Sequence, residues 1–581
     1  MDVLKTLRQH LASLGVDGVL IPRGDAFSGE EVPPSDERLR YISGFSGSAG
    51  TALVTATESA LFSDGRYTIQ MAAETHDDWS CHTQPEASMI DWIKKHLNDG
   101  VLGFDPCLMT LSSYQNLQQK LNGSTVQLKP LAQNPIDAIW PDQPLPPQSP
   151  AWDFDPSIAG LSRPEKIKAV LAAIKSTAPS CKHMIITAPD QLAWLANIRG
   201  NDLSHTPVIL SFAILNEDGH ITIFADESRF DACDRQSLKC HPPQDCLAYI
   251  NTLNPAEVMI DPASCPYALA EALGDQAVQL ESPITMMKAK KTPAEQKAIR
   301  AVHRRDGAAM ARFLCWFDQH AGQGIREVDI DAKLIECRSQ DDHFISPSFA
   351  TICGSGSNGA NVHYRAEDGK DSEILKDTLC LIDSGGQYQD GTTDITRTLA
   401  VGDVSPAMKH DFTLVLKAHI ALDQAVFPDG TSGVQLDAIT RQPLWQAAMD
   451  FAHGTGHGVG CCLNVHEGPI SISKRSTRGV EAGVLLSNEP GYYIEGAYGI
   501  RIENLILSQA DGDKDGYLCF DPVTVVPMDS RLVETALLTD AELAWLNAYH
   551  AKVWDEIAPL LAGEADVLDW LRQATQPISR H

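Results

Sequence analysis

The sequence predicts an α/β (α+β) chain built as two related N-terminal modules followed by one larger C-terminal domain, and three observations carry that prediction. At 581 residues the chain is too long for one core, since single cores stop growing near ~250–300 residues. A proline-rich break at 139–150 and a helix start at 292 divide it into 1–150, 151–291 and 292–581. Two stretches of the first half resemble each other at nearly constant offset, the mark of an internal repeat.

The elements follow in order. Leu4, Leu7, Leu11 and Leu14 recur at helical spacing, and Gly18-Val19-Leu20-Ile21 then reads as a strand. Leu39–Gly44 resembles Leu192–Asn197, and Leu61–Tyr67 resembles Ile223–Phe230. Each copy is expected to hold strands such as Ala60–Phe62 and Ile221–Phe224, and helices such as Ser88–Leu97 and Pro164–Ile174. Between the copies, five prolines in Ile139–Pro150 fix φ and remove backbone donors, so neither helix nor central strand persists. At Thr292-Pro293-Ala294-Glu295 the chain offers a capping box with proline at the first helical position, which predicts a long helix over about 293–320.

Composition narrows the function classes. Lys+Arg 46 against Asp+Glu 76 gives a net charge of −30, which repels phosphate backbones and anionic lipid, so neither nucleic acid nor membrane is an expected partner. No run of ~18 apolar residues is present to span a bilayer as a helix. Fourteen cysteines without a CxxC pair fit a reducing cytoplasm rather than a disulfide scaffold.

Three motifs lead elsewhere than they first suggest. Gly354–Gly359 matches G-x-G-x-x-G, but Ala360–Arg365 alternates like a strand where a dinucleotide site needs a helix, so a glycine-rich turn is expected. Asp511–Gly516 opens like an EF-hand loop, yet its twelfth position is Pro522, and a polar hairpin turn is the better reading. His453 and His457 have zinc-helix spacing, but two intervening glycines and the missing glutamate argue against a single-zinc site. Vicinal Cys461 and Cys462 read as two small buried residues.

The chemistry lies in the second half. Leu379–Ile382 is a short apolar run delivering Asp383. On the alternating stretch Thr393–Leu399, Asp394 and Thr396 share a face, so Asp383 and Asp394 can meet across a hairpin. Val484–Asn488 leads to Glu489, and in Gly499–Leu505 alternation puts Arg501 and Glu503 on one face. Any one of these acids alone reads as a surface carboxylate, but several emerging from apolar strands would carry a large desolvation cost unless cations neutralised them. Four carboxylates and two divalent ions balance, which with one histidine suits a two-metal site. Oxygen-rich ligation favours manganese, magnesium or cobalt, with zinc an alternative.

Asp383, Asp394, His457, Glu489 and Glu503, in this order and within Ile382–Gly385, Thr393–Thr398, Gly454–Gly458, Asn488–Gly491 and Arg501–Asn504, resemble the ligand set of the pita-bread (M24) metallopeptidases. That family includes methionine aminopeptidases, prolidases, creatinases and aminopeptidase P, so the ligands alone do not select a substrate. Two related modules before the catalytic domain resemble the long, three-domain aminopeptidase P. Similarity continues in Gly44–Thr51, Asp64–Tyr67, Leu463–Pro469 and the tail Phe520–His550.

The resemblance implies two creatinase-like domains, a pita-bread catalytic domain with a C-terminal extension from about 517, and hydrolysis of the N-terminal Xaa-Pro bond of peptides by a two-metal-activated water. It assigns Asp383 to one ion, His457 and Glu489 to the other, and Asp394 and Glu503 as bridges, with two Mn2+ expected and zinc or cobalt as alternatives. Glu489 is the candidate proton acceptor, His466, His363 and His453 the candidates for proton handling, and Arg66, His363, His466, Arg501 and Tyr493 for binding the peptide. A cytoplasmic homodimer acting on peptides with proline second is the implied setting. A prolidase acting on dipeptides and a catalytically silent peptide- or histone-binding module are the alternatives.

Overall fold

The computed structural model describes residues 3–85, 87–367, 369 and 371–580. They form two compact units, Met1–Pro156 with Leu161–Thr285, and Ser157–Gly160 with Met286–His581.

The first unit contains two six-stranded sheets of the same topology. In one, the strands run in the spatial order Ser80–Gln84, Ser59–Asp64, Thr51–Thr55, Gly18–Pro22, Val101–Phe104, Gln127–Pro130. In the other the order is Leu238–His241, Ile221–Phe224, Ala213–Asn216, His183–Ile186, Val258–Ile260, Val278–Gln279. The senses agree as well: in each sheet the second strand in sequence makes the two antiparallel pairings, and the rest are parallel. The repeat expected from Leu61–Tyr67 and Ile223–Phe230 therefore falls on equivalent strands. The other repeated pair falls on helices Arg38–Ser43 and Pro189–Ala196, each closed by a left-handed residue, Gly44 at φ 83° and Asn197 at φ 49°. Glycine and asparagine are the residues that take this cap at least cost. Within this unit the two modules are joined by backbone bonds, Leu111 N–H to Cys265 O at 2.9 Å and Tyr267 N–H to Met109 O at 2.8 Å.

The second unit opens on helix Pro293–His320, whose capping box is complete: Glu295 N–H donates to Thr292 Oγ1 at 3.1 Å and Thr292 N–H to Glu295 Oε2 at 2.8 Å. The part of its buried face from Ala309 to Phe317 packs on the sheet formed by Ile352–Ser355, Thr378–Ser384 and Ile395–Val401. A six-stranded sheet orders Phe427–Pro428, Tyr517–Pro522, Asn504–Ala510, Leu485–Asn488, Gly456–Gly458 and Glu467–Ile472. Gly491–Ile494 and Tyr498–Arg501 form a separate hairpin. Helices Pro406–Asp423 and Asp540–Ile557 close the main apolar cluster over Ile500 and Ile502. Among the described residues no helix is long and apolar enough to cross a membrane.

Three local expectations change. The strand expected from Thr393 begins at Ile395, because Thr393 N–H is used by Gly386 O and Gly386 N–H by Thr393 Oγ1 in the intervening turn. Gly499–Leu505 is not one strand: it breaks at Ile502 and Glu503, where the chain passes from the hairpin to the six-stranded sheet. Ala360–Arg365 is a turn rather than a strand, since the preceding segment tightens into a 3-10 helix, Gly356–Ala360, and Tyr364 N–H folds back on Asn361 O at 3.1 Å. Asp511–Gly516 does form the polar turn of the hairpin joining Asn504–Ala510 and Tyr517–Pro522, with Asp511 Oδ1 accepting from Asp513 and Lys514 N–H.

Candidate metal centre

Each expected acid sits at a strand terminus. Asp383 is the penultimate residue of Thr378–Ser384 and lies opposite Thr396. Asp394 immediately precedes Ile395–Val401, Glu489 follows Leu485–Asn488, and Glu503 occupies the gap before Asn504–Ala510. His457 is the middle residue of Gly456–Gly458. The fold brings one ligand atom from each of Asp394, His457 and Glu503 within 4.8 Å of the others. His457 Nε2 is 3.5 Å from Asp394 Oδ2 and 3.4 Å from Glu489 Oε1.

The electrostatics of this arrangement are unfavourable without a cation. Burial, then the neighbouring charges of Asp383 and Glu489, hold the Asp394 carboxyl well above the usual carboxylate range. Glu503 is raised likewise by burial and then by Asp394, Glu489 and Asp383. Glu489 is pushed up to about 7, chiefly by burial. Asp383 Oδ1 is buried with no hydrogen-bond partner. The His457 tautomer sharpens the point. Its Nδ1 lies 2.9 Å from Gly458 O, a pure acceptor, so Nδ1 carries a proton and Nε2 is the nitrogen turned towards the two carboxylates. A second-sphere carbonyl on one imidazole nitrogen, with the other turned towards carboxylates, is how a histidine is oriented for a metal. The donor set of carboxylate oxygens and one imidazole nitrogen fits divalent ions such as manganese, cobalt or zinc.

Two hydroxyls tie these groups together, and neither stood out in the sequence as a site residue. Thr396 Oγ1 donates to Glu503 Oε2 at 2.8 Å and accepts from Arg501 Nε at 3.2 Å. Ser487 Oγ accepts from His457 N–H and donates to Glu489 Oε1, both at 3.0 Å. The available signal was alternation, for each hydroxyl lies two residues from an acid and so on its face.

Around the acids runs a chain of hydrogen bonds. Arg501 Nη2 donates to Asp383 Oδ2 at 2.6 Å and Nη1 to the Tyr493 hydroxyl at 2.7 Å. Tyr493 Oη lies 2.8 Å from His453 Nε2, and His453 Nδ1 lies 2.7 Å from Gly454 O. Because only a proton can face that carbonyl, His453 Nε2 is the acceptor and Tyr493 the donor. Burial works against the Arg501 cation, but Tyr493, Asp383 and Glu489 more than offset it, and its pKa stands above the ordinary value. Burial pushes the Tyr493 hydroxyl up to about 12.

His466 is exposed, its ring edge-on to His457 at 4.3 Å between centroids. His363 is half-buried in the turn after Gly356–Ala360. Arg66 belongs to the first unit, where Asp64 holds its guanidinium at 2.8 Å. Cys461 and Cys462 are buried, as expected of two small packed residues.

Comparison with known proteins agrees with this architecture. The model for metallopeptidase family M24 matches residues 297–510, and its C-terminal region matches 516–578. The creatinase/prolidase N-terminal domain matches twice, at 4–138 and 142–295. A probable Xaa-Pro aminopeptidase P of Laccaria bicolor is 37% identical over 99% of this chain and 93% of its own. Aminopeptidase P2 of Arabidopsis thaliana is 37% identical over 98% and 87%. The crystal structure of an X-prolyl aminopeptidase from Caenorhabditis elegans, described as a cytosolic enzyme with a di-nuclear active site, superposes with a TM-score of 0.94 at 32% identity, covering 99% of both chains. With relatives matched end to end and the creatinase-type domain present twice ahead of the catalytic one, the chain belongs to metallopeptidase family M24, in its aminopeptidase P branch.

Proposed function

We propose that this chain is a metallo-aminopeptidase hydrolysing the N-terminal Xaa-Pro bond of peptides, with Asp383, Asp394, His457, Glu489 and Glu503 holding two divalent ions, manganese in the native enzyme. One observation carries the site: buried carboxylates and an imidazole nitrogen converge on one spot, with Arg501 as a cation bonded directly to one of the acids. When bound, such ions activate water near neutral pH and polarise the scissile carbonyl.

The protein's own groups divide the remaining work. Glu489, whose Oε1 accepts from Ser487 Oγ, is the candidate to accept the water's proton as general base. An Xaa-Pro bond has no N–H and its proline nitrogen must gain a proton to leave, so an acid is required. His466, exposed beside His457, is our candidate to supply it, with His363 and His453 as candidates to handle protons or bind the peptide. Arg501 and Tyr493 lock Asp383 and His453 into one network, and both are our candidates for binding the peptide. Arg66 keeps the role of contacting the bound peptide. We further propose domain limits at 150 and 291, a homodimer and a cytoplasmic setting; the worm relative is described as cytosolic.

The test is hydrolysis of Arg-Pro-Pro, Leu-Leu-Leu and Ala-Pro by manganese-loaded protein. Release of arginine from the first substrate alone is expected. Preference for Leu-Leu-Leu would sink the proline specificity, activity confined to Ala-Pro would make the protein a dipeptidase, and no bound metal with no activity would leave a peptide-binding module.

A further inference from the structure

Behind His466 lies a cluster of charges that the metal chemistry does not use. Lys288, Lys291 and Glu467 are each at most 4% exposed. Lys288 Nζ meets Glu467 Oε2 at 2.6 Å and Lys291 Nζ meets Oε1 at 2.5 Å, so one carboxylate is gripped by an ammonium on each oxygen. Lys291 Nζ also donates to Lys288 O at 3.2 Å and Ala289 O at 3.3 Å, carbonyls at the end of helix Pro283–Ala289. Its three donors are therefore all used. The negative end of that helix takes up part of the second positive charge.

The location of Glu467 gives the cluster its meaning. Glu467 follows His466 directly and opens strand Glu467–Ile472. That strand pairs with Gly456–Gly458, with Gly458 opposite Glu467 and a register shift beside His457. The two backbones approach so closely there that a Cβ on Gly458 would meet Glu467 O at 2.2 Å. Lys291 N–H, in turn, donates to Gly483 O at 2.7 Å, just ahead of strand Leu485–Asn488, which Glu489 follows. Fixing Glu467 thus fixes the main chain on which His466 stands and the register of the segment carrying His457. An exposed histidine depends on such anchorage, because a displacement of about 1 Å at a reacting group can cost ~10²-fold in rate.

We propose that Lys288 and Lys291 are positioning residues for the peptidase reaction, acting through Glu467 to hold His466 against His457. The proposal rests on the function given above, and two readouts keep their failures apart. Lys288→Met is the first variant, since it leaves Lys291 and Glu467 as a balanced pair and keeps the aliphatic volume. Glu467→Gln and the double variant Lys288→Met/Glu467→Gln complete a cycle.

In manganese-loaded full-length protein, kcat on Arg-Pro-Pro is expected to fall about 10–100-fold in Lys288→Met with KM within about threefold and metal content unchanged. The double variant is expected to be no worse than the worse single one, as for residues acting as one unit. The independent readout is the imidazole signals of His466 and His457 in zinc-loaded, 15N-histidine-labelled protein, expected to shift in Lys288→Met while the melting temperature holds. A kcat within about twofold of the parent, or a fall in kcat with unmoved imidazole signals, overturns the proposal. If the parent does not cleave Arg-Pro-Pro at all, the reading of function fails, and the clamp then stands or falls on the imidazole signals alone.

Discussion

Glu489→Gln should make the metal-free protein more stable while destroying its activity. The Glu489 carboxyl rises from an ordinary 4.5 to about 7, because it is buried and faces Asp383. That rise corresponds to roughly 3 kcal/mol, at about 1.4 kcal/mol for each tenfold change in proton affinity. Since the folded state binds the proton more tightly than the unfolded one, there is no penalty below pH ~4.5, where both are protonated. It grows as pH climbs from ~4.5 to ~7 and is complete above that. Glutamine is isosteric, remains neutral and still accepts from Ser487 Oγ. In chelator at about pH 8, Glu489→Gln is therefore expected to gain roughly 3 kcal/mol, or on the order of 2–5 °C in melting temperature. The gain should vanish near pH 4.5. Manganese should invert the order, stabilising the parent and not the variant, and turnover in the variant should fall by about 10²–10⁴-fold, the usual contribution of a general base. Calorimetry of both proteins with chelator and with manganese, at about pH 4.5 and 8, measures all of this. A variant that melts no higher than the parent at the higher pH in chelator, or gains equally at both, would refute the claim that the acids repel one another in the absence of metal.

Thr396→Val keeps shape but removes the donor to Glu503 and the acceptor for Arg501 Nε. Each orphaned buried group costs about 1–3 kcal/mol, and kcat/KM on Arg-Pro-Pro should drop roughly 10–100-fold; an unchanged kcat/KM with full metal content would remove Thr396 from the site. At the end of helix Pro406–Asp423, burial pushes Asp423 up to about 7, with Trp545 Nε1 donating to Oδ2 at 2.6 Å. Stability is lost as pH rises from ~3.8 to ~7, so Asp423→Asn should melt higher than the parent at pH ~8, by about 2–4 kcal/mol, and level with it near pH 4. Equal melting at both values would show that Asp423 is not strained by its burial.

Much of the architecture was legible because it depends on local chemistry. The capping box at Thr292 and Glu295, the proline run at 139–150 and the turn at Asp511–Gly516 each satisfy or remove backbone donors within a few residues, and each appears where it was read. The repeat was legible for a different reason: both copies need an apolar strand of the same register and a helix stopped by a residue tolerant of positive φ, and Gly44 and Asn197 supply the second. The lysine clamp was not legible. Lys288 and Lys291 lie 179 and 176 residues from Glu467, and a basic run looks solvated until a buried carboxylate is seen between its members. Tyr493, Arg501 and His453 were each legible as candidates, but not the network they share, which links two strands of a hairpin to a loop residue 40 positions before Tyr493.

The broken strand at Ile502 and Glu503 shows why the acids themselves could be found. Alternation placed Arg501 and Glu503 on one face, and the structure interrupts the strand between them, yet both still converge on the Thr396 hydroxyl, at 3.2 and 2.8 Å. The interruption serves that convergence: Glu503 N–H donates to Thr396 O at 3.1 Å, and the chain leaves the hairpin to join the six-stranded sheet. Asp394 before its strand and Glu489 after its own occupy equivalent discontinuities. At such points the pleat no longer dictates where a side chain projects, so acids from separate strands can be aimed at one volume while the apolar runs behind them keep the backbone rigid. Period-two patterning cannot reveal a residue that has left the ladder. A buried apolar run that ends on a carboxylate can, because desolvating that charge is too costly to persist without a cation to meet it.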